Sequence, residues 1–557
     1  MALPRLELTP RWSRAVALAA AALLAGVAAW SALRAWSYPS GLNLPEPELA
    51  GLPASDVARA GGGGPRLARR VVLFIVDGLT LTAARDLPVL EELRTRGAAL
   101  RLDAGFPTLS RPAYHVILTG VDQANGGVRV NRDLGPSRFD TVAARARAAG
   151  LRTAAVGNHV NWIGQLFGQD FHLAVFGAGF ERALAQALGP DYALTVVHLC
   201  EPDKAAHAHG AASPEYRAAA RGADARIGRA LAGLDLTRDA ILVVSDHGHV
   251  AVGGHGGVEP EVRVVPLVMA GAGVRRGVHG DAQLVDVAPT IAALLGLAPP
   301  GQLRGRPLLD ALEVTDQERA SIWQAMFWAR ARTERYLGGL WRARRALDVK
   351  RDEALKLLHA GQLDAAYRSG ESIVREEGDR AQKRLAARVA AARQARAWVA
   401  GALLAALLAA LLLLRRLGVI EAGPAALLGL VAPAVFAGGY VLLGGTLSFS
   451  AIRDTGPFVR QLALLGTGAA ALQVLAHAVA LGPRGPRRAR RAAGLALWAA
   501  LVAALPALAC FVVVGGAGAV ADLPPPAWAF APLLAFPLLA AVALAGALFT
   551  LMEGRAR

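Results

Sequence analysis

The sequence predicts an α/β fold, a doubly wound and mostly parallel sheet, joined to a helical extension and an α-helical transmembrane bundle. Three observations predict it. Short continuous apolar runs alternate with helical patterns from Val71 to about Gly296, as strands buried on both faces do when crossover helices separate them. Longer apolar runs flank this region on both sides, and about 20 apolar residues suffice to cross a bilayer as a helix. Charged residues make up only 18% of the chain, against about 25% in ordinary soluble domains.

The expected spans cover residues 15–35 near the N-terminus and 397–414, 425–443, 461–481, 494–514 and 528–551 near the C-terminus. Basic residues sort onto one side of them. Arg5, Arg11 and Arg14 precede the first span. Arg415 and Arg416 follow the second, the Arg484–Arg491 cluster separates the fourth from the fifth, and Arg555 and Arg557 close the chain. With the N-terminus cytoplasmic, every strongly basic short loop falls inside. Both termini are then cytoplasmic and the large middle segment is extracytoplasmic, in a periplasm or a lumen. The first span reads as an uncleaved anchor rather than a signal peptide, because it is long for a signal sequence.

The expected domains follow: a tail and anchor over 1–37, a Pro- and Gly-rich linker over 38–69, a catalytic domain over 70–307, a helical region over 308–396 and five spans over 397–557. Within the catalytic domain Val71–Val76, Thr153–Val156, Tyr192–Leu199, Ala240–Val244 and Pro266–Met269 read as buried parallel strands. Beyond Leu308 such runs cease, and Trp323, Phe327, Trp328, Tyr336 and Trp341 interleave with Arg. This pattern fits helices packed against the α/β domain, with a membrane-surface role as the second reading.

The net charge of +17 is explained by cytoplasmic loops and solvated helix faces. No nucleic-acid motif accompanies it, so nucleic acid is not an expected partner. Cys200 and Cys510 imply neither a disulfide framework nor a Cys-type zinc site. No span carries the repeated buried charges of an ion pathway, which excludes simple transport.

Three strands deliver carboxylates to one sheet edge. Val71–Val76 runs into Asp77-Gly78, Tyr192–Leu199 into Glu201-Pro202-Asp203, and Ala240–Val244 into Ser245-Asp246-His247-Gly248. Ligands of open parallel sheets bind beyond such carboxyl ends. His207 lies four residues after Asp203, one helical turn away. His255 sits in Gly253-Gly254-His255-Gly256-Gly257, where glycines let the backbone bring an imidazole close. Three Asp and three His suit two divalent ions, with zinc the better match and manganese the second. Three carboxylates against two such ions leave about one net positive charge, which attracts phosphate. A hydroxyl nucleophile is expected in the stretch from Phe106 to Gly120, near a helix N-terminus.

Together these motifs resemble the alkaline phosphatase superfamily. The resemblance is to the branch of type I phosphodiesterases, nucleotide pyrophosphatases and glycosylphosphatidylinositol ethanolamine phosphate transferases. It covers Val71 to about Gly296, with the motifs in the family order. It implies Ser110 as nucleophile, with Thr108 the fallback, and Asn131 as the phosphate-binding asparagine. It also groups Asp203, His207 and His255 on one metal and Asp77, Ser110, Asp246 and His247 on the other. Sulfatases are set aside. Their nucleophile is followed by Pro at the second position and Arg at the fourth, whereas here Pro112 is followed by Tyr114.

The expected function is phospho-transfer on phosphodiesters outside the cytoplasm. An anchor, an exported domain and a bundle of spans resemble the ethanolamine phosphate transferases. The resemblance implies a lipid donor such as phosphatidylethanolamine and a lipid or glycan acceptor. The alternative is a phosphodiesterase or nucleotide pyrophosphatase, with water as acceptor. A non-catalytic scaffold would have lost Asp77, Ser110 or His247, and all three are present.

Overall fold

The computed structural model of the chain describes residues 51–52, 63–131, 135–159 and 161–341, with scattered positions between 353 and 475. It divides into two compact units, one of residues 42–385 and one of residues 1–41 with 386–557.

The first unit holds an eight-stranded sheet: β1 (Arg70–Val76), β2 (Gly97–Asp103), β3 (Thr153–Gly157), β4 (Leu173–Phe176), β5 (Leu194–Leu199), β6 (Asp239–Val244), β7 (Val264–Gly271) and β8 (Val278–Gln283). Their order is β4-β3-β5-β1-β6-β7-β2-β8. Strand β1 is buried along its whole length, and its side chains divide between two cores. Val71, Leu73 and Ile75 pack with helices α2 (Ser110–Thr119), α3 (Val142–Ala148) and α7 (Val287–Leu294). Val72, Phe74 and Val76 pack on the opposite face, with α1 (Pro88–Arg96), α4 (Phe180–Ala187) and α6 (Pro214–Leu231). The alternation of a strand is thus absorbed by helices on both faces, the three-layer arrangement of a doubly wound sheet.

One strand departs from the expected direction. The run Pro266–Met269 lies in β7, which is antiparallel to both β6 and β2. The chain leaves β6 at Val244 and enters β7 at Val264 through a loop with one short helix, Pro260–Arg263. That connection holds no long crossover helix, so the chain returns from the edge where it left. A strand buried on both faces carries a continuous apolar run whatever its direction, so the run alone did not distinguish the two. Strands β2, β4 and β8 were not anticipated. The half-buried β4 and the exposed β8 lack the continuous apolar run.

Two antiparallel steps, β6 to β7 and β7 to β2, restore the direction of β2 to that of β1. The loop after β2 therefore opens on the same edge as the loops after β5, β1 and β6. Register aligns the three central strands, with Val76 beside Leu199 and Ile75 beside Val244.

Residues at the end of the expected linker are packed. The Leu67 and Ala68 amides both donate to the Leu294 carbonyl, at 2.9 and 2.8 Å, and Ala68 is buried. Past the sheet, α8 (Asp316–Trp341) buries Ile322, Trp323 and Met326, and its Thr333 hydroxyl donates to the Gly301 carbonyl at 2.8 Å. The helix is thus joined to the domain as far as Thr333.

In the second unit α9 (Val431–Leu442) is described. Among the described residues no helix is long and apolar enough to cross a membrane. The expected spans 15–35, 494–514 and 528–551 lie outside the described residues, and 397–414, 425–443 and 461–481 are described in part.

Candidate metal centre and active site

Asp77 directly follows β1, and Asp246 follows β6 by two residues. Asp203 and His207 lie on α5 (Glu201–His209), which begins just after β5. These are the three adjacent central strands, so the carboxylates converge on one edge by topology alone. The Gly78 amide donates to Asp246 Oδ1 at 3.1 Å, and the Asp203 amide donates to the Asp77 carbonyl at 3.1 Å. Gly78 has φ +69°, and a Cβ there would come within 2.9 Å of Asp203 Cα. A side chain at this position would push the carboxylate-bearing loops apart.

Ser110 is the first residue of α2 and is buried. Its Oγ lies 3.0 Å from His247 Nε2. The same nitrogen is 3.4 Å from Asp77 Oδ1 and 3.4 Å from Asp246 Oδ2. Both carboxylate oxygens are buried and neither takes a hydrogen bond. Leaving charged oxygens unsatisfied in a buried site is costly unless a cation meets them. A second group adjoins. His207 Nε2 is 3.4 Å from Asp203 Oδ1 and 3.1 Å from His255 Nε2, and His255 Nε2 is 3.6 Å from Asp203 Oδ1.

Donors of a tetrahedral zinc, bonded at about 2.0–2.1 Å, stand about 3.3 Å apart. Both groups match that spacing, and both combine carboxylate oxygen with imidazole nitrogen. The residues therefore fit two divalent ions. One would be held by Asp77, Asp246, His247 and Ser110, the other by Asp203, His207 and His255.

Electrostatics agree. Burial, then the neighbouring Asp77 charge, holds the Asp246 carboxyl well above its ordinary range. Burial also acts to raise Asp203, but its close contacts with His207 and His249 bring it well below that range. Burial lowers His247 to about 4 and His255 to about 3. His247 and His255 therefore present neutral rings, and the crowding that raises Asp246 is a repulsion that a cation would relieve.

Of the two candidate hydroxyls, the structure places Ser110 against the cluster. Thr108 is engaged elsewhere: its Oγ1 donates to the Gly257 carbonyl at 2.8 Å and accepts from the Gly256 amide at 3.0 Å. Its carbonyl accepts from His255 Nδ1 at 2.9 Å. Thr108 thus ties the nucleophile loop to the glycine loop that carries His255. Asn131 Oδ1 accepts from the Arg111 amide at 2.9 Å, one residue past Ser110, which leaves its amino group as the donor it can offer a phosphate.

Three residues at the site were not anticipated. Tyr114 Oη donates to Asp77 Oδ2 at 2.5 Å, and His198 Nε2 lies 3.0 Å from the same oxygen and 2.8 Å from Tyr114 Oη. Burial, then the Asp77 charge, holds the Tyr114 phenol well above its ordinary range, so it stays a donor. Asp77 therefore has one oxygen occupied and the other turned to the metal position. His249 Nε2 lies 3.0 Å from Asp203 Oδ1. A histidine inside the apolar run of β5 was the one sequence signal for His198. Tyr114 had none beyond its place on α2.

A buried histidine outside the cluster gives a pH prediction. His115 packs edge-on against Phe139, and burial lowers it to about 3. A folded value below the unfolded one of about 6.5 contributes stability that is present above pH 6.5. That stability is lost as pH falls toward 3. The thermal midpoint of the whole chain in detergent is expected to fall over that window, and less steeply in His115→Phe. Equal slopes for the two proteins would refute it.

Comparison with known proteins adds the following. Residues 161–264 match the model of the family described as type I phosphodiesterase / nucleotide pyrophosphatase. That stretch holds Asp203, His207, Asp246, His247 and His255 but not Asp77, Ser110 or Asn131. The chain is similar to a 2,3-bisphosphoglycerate-independent phosphoglycerate mutase of Cereibacter sphaeroides, with 31% identity over 141 residues. It is also similar to the enzyme of that name from a Synechococcus species, with 29% identity over 155 residues. These matches cover 23% and 25% of this chain, and only 26% and 28% of the relatives' own lengths. Among solved structures, murine ectonucleotide pyrophosphatase / phosphodiesterase 5 superposes with a TM-score of 0.38 at 15% identity, over 44% of this chain and 100% of that one. A phosphonate monoester hydrolase from Silicibacter pomeroyi superposes with a TM-score of 0.35 at 17% identity, over 43% and 76%.

Proposed function

We propose that the chain is a metal-dependent phospho-transfer enzyme acting on phosphodiesters, with Ser110 as its nucleophile. One observation carries this reading: Ser110 Oγ at 3.0 Å and two buried carboxylate oxygens without hydrogen bonds, Asp77 Oδ1 and Asp246 Oδ2, at 3.4 Å each surround His247 Nε2. Divalent ions bound there supply a lowered hydroxyl pKa and a counter-charge for phosphate. The chain's residues do the rest. Ser110, at the N-terminus of a ten-residue helix, presents its Oγ where amide dipoles favour a phosphate. Its attack on phosphorus displaces the first alcohol and leaves the phospho group on Ser110. Asn131 holds a non-bridging oxygen and orients the group. Attack by an acceptor hydroxyl then frees Ser110.

The acceptor distinguishes two readings. Water makes the protein a phosphodiesterase-type hydrolase, and the family match over 161–264 favours this. A lipid or glycan hydroxyl makes it a phosphoethanolamine-type transferase that uses a membrane phospholipid. Exposed apolar side chains favour this second reading. In the second unit Trp398, Leu442 and Leu464 are 75, 88 and 75% exposed, a surface that water covers poorly and lipid covers well. Under this reading the second unit lies in the membrane and the catalytic unit outside the cytoplasm.

The test is turnover by detergent-solubilised chain of bis-p-nitrophenyl phosphate, p-nitrophenyl phosphate and labelled phosphatidylethanolamine, with and without chelator. Metal-dependent cleavage of the diester over the monoester is expected. Label passing from the lipid to an acceptor other than water selects the transferase. Turnover that survives chelation would overturn the proposal.

A further inference from the structure

His249 stands within reach of the cluster yet differs from its neighbours in how its ring is wired. Atoms of Asp203, His247, His249 and His255 lie within 4.8 Å of one another, a grouping that by proximity alone makes His249 a metal ligand. The hydrogen bonds say otherwise. His247 Nδ1 faces the Gly248 carbonyl at 3.1 Å, and His255 Nδ1 faces the Thr108 carbonyl at 2.9 Å. A carbonyl only accepts, so each Nδ1 carries the proton and each Nε2 keeps a lone pair for the cluster. Metal-binding histidines are normally set in this way.

His249 is set in the opposite sense. The Gly254 amide donates to its Nδ1 at 3.2 Å. A ring nitrogen that accepts an amide proton carries none itself, so the proton of the neutral ring sits on Nε2. That Nε2 lies 3.0 Å from Asp203 Oδ1, at donor distance from a carboxylate. Two glycines permit it. Gly254, at φ +108°, turns its amide toward the ring, and a Cβ on Gly78 would stand 2.7 Å from His249 Nε2.

We infer that His249 is not a metal ligand but a positioning residue, whose Nε2–H fixes Asp203 so that the carboxylate is presented to the ion shared with His207 and His255. The inference rests on the two-ion reading above. It predicts that any residue able to donate from the same place can stand in for the imidazole, whereas a ligand's replacement would lose the ion.

The test measures metal binding, not turnover. Zinc stoichiometry and affinity are measured on the full chain in detergent, by competition with a chromophoric chelator, and the cobalt-substituted protein gives the visible absorption band. His249→Gln is expected to keep two ions, wild-type affinity and an unchanged cobalt band. His249→Ala is expected to keep two ions at saturation but to bind one of them roughly 10- to 100-fold more weakly. His255→Gln, which removes a ligand, is the control and is expected to alter the cobalt band. Loss of an ion or an altered band in His249→Gln would show His249 to be a ligand. Wild-type affinity for both ions in His249→Ala would show that it positions nothing. If His249→Ala does not fold, His249→Gln alone decides. A wild-type chain that binds no divalent ion overturns the two-ion reading itself, and this inference with it.

Discussion

Replacing Ser110 by alanine is expected to abolish phosphodiester turnover, by roughly 10³-fold or more, because the covalent route disappears with its nucleophile. Stability is expected to hold, since among the described residues the Ser110 hydroxyl has a single hydrogen-bond partner, His247. Thr108→Val is the informative partner. It removes two buried hydrogen bonds to the glycine loop but no reacting atom. About 1–2 kcal/mol of lost positioning corresponds to roughly a tenfold fall in rate. Rates for both variants, with melting curves alongside, separate the two roles. A Thr108→Val variant as inactive as Ser110→Ala, with unchanged stability, would move the nucleophile to Thr108.

Removing the ions is expected to abolish turnover and also to destabilise the catalytic unit. Asp77, Asp203 and Asp246 are gathered at one sheet edge, and without cations they repel. An ion at a hundred times its Kd stabilises the folded state by about 2.7 kcal/mol. Two ions together correspond to a fall in Tm on the order of 10 °C on chelation. Zinc returned after dialysis is expected to restore both melting temperature and rate. An unchanged Tm in chelator would mean that the cluster holds no structural cation.

The sequence was informative where chemistry and backbone needs coincide. Val71–Val76 is long, apolar and followed by Asp77-Gly78, so strand and candidate ligand were legible together. Asp203 and His207 share a helical turn, and the glycines around His255 announce a close backbone approach. These are local relations, readable without knowing what lies across the sheet. The expected spans at either end are local readings of the same kind, but they lie wholly or partly outside the described residues.

Other features depend on the far side of a contact. The direction of β7 is set by the short return from β6 rather than by its own residues, so its apolar run was read as parallel. The choice between Ser110 and Thr108 turns on the Gly256–Gly257 backbone, which folds back to occupy the threonine hydroxyl. Tyr114 and His198 acquire a role only because α2 and β5 both meet Asp77. By itself the sequence determined the α/β class, the carboxylate-bearing strand ends and the glycine loop, because each follows from periodicity or from a neighbour a few residues away. Only the tertiary structure decided which hydroxyl meets the cluster, which carboxylate oxygens are left for a cation and which imidazole nitrogen carries its proton. The first two are fixed by contacts between residues far apart in the chain, and the last by backbone groups as near as Gly248 and as far as Thr108.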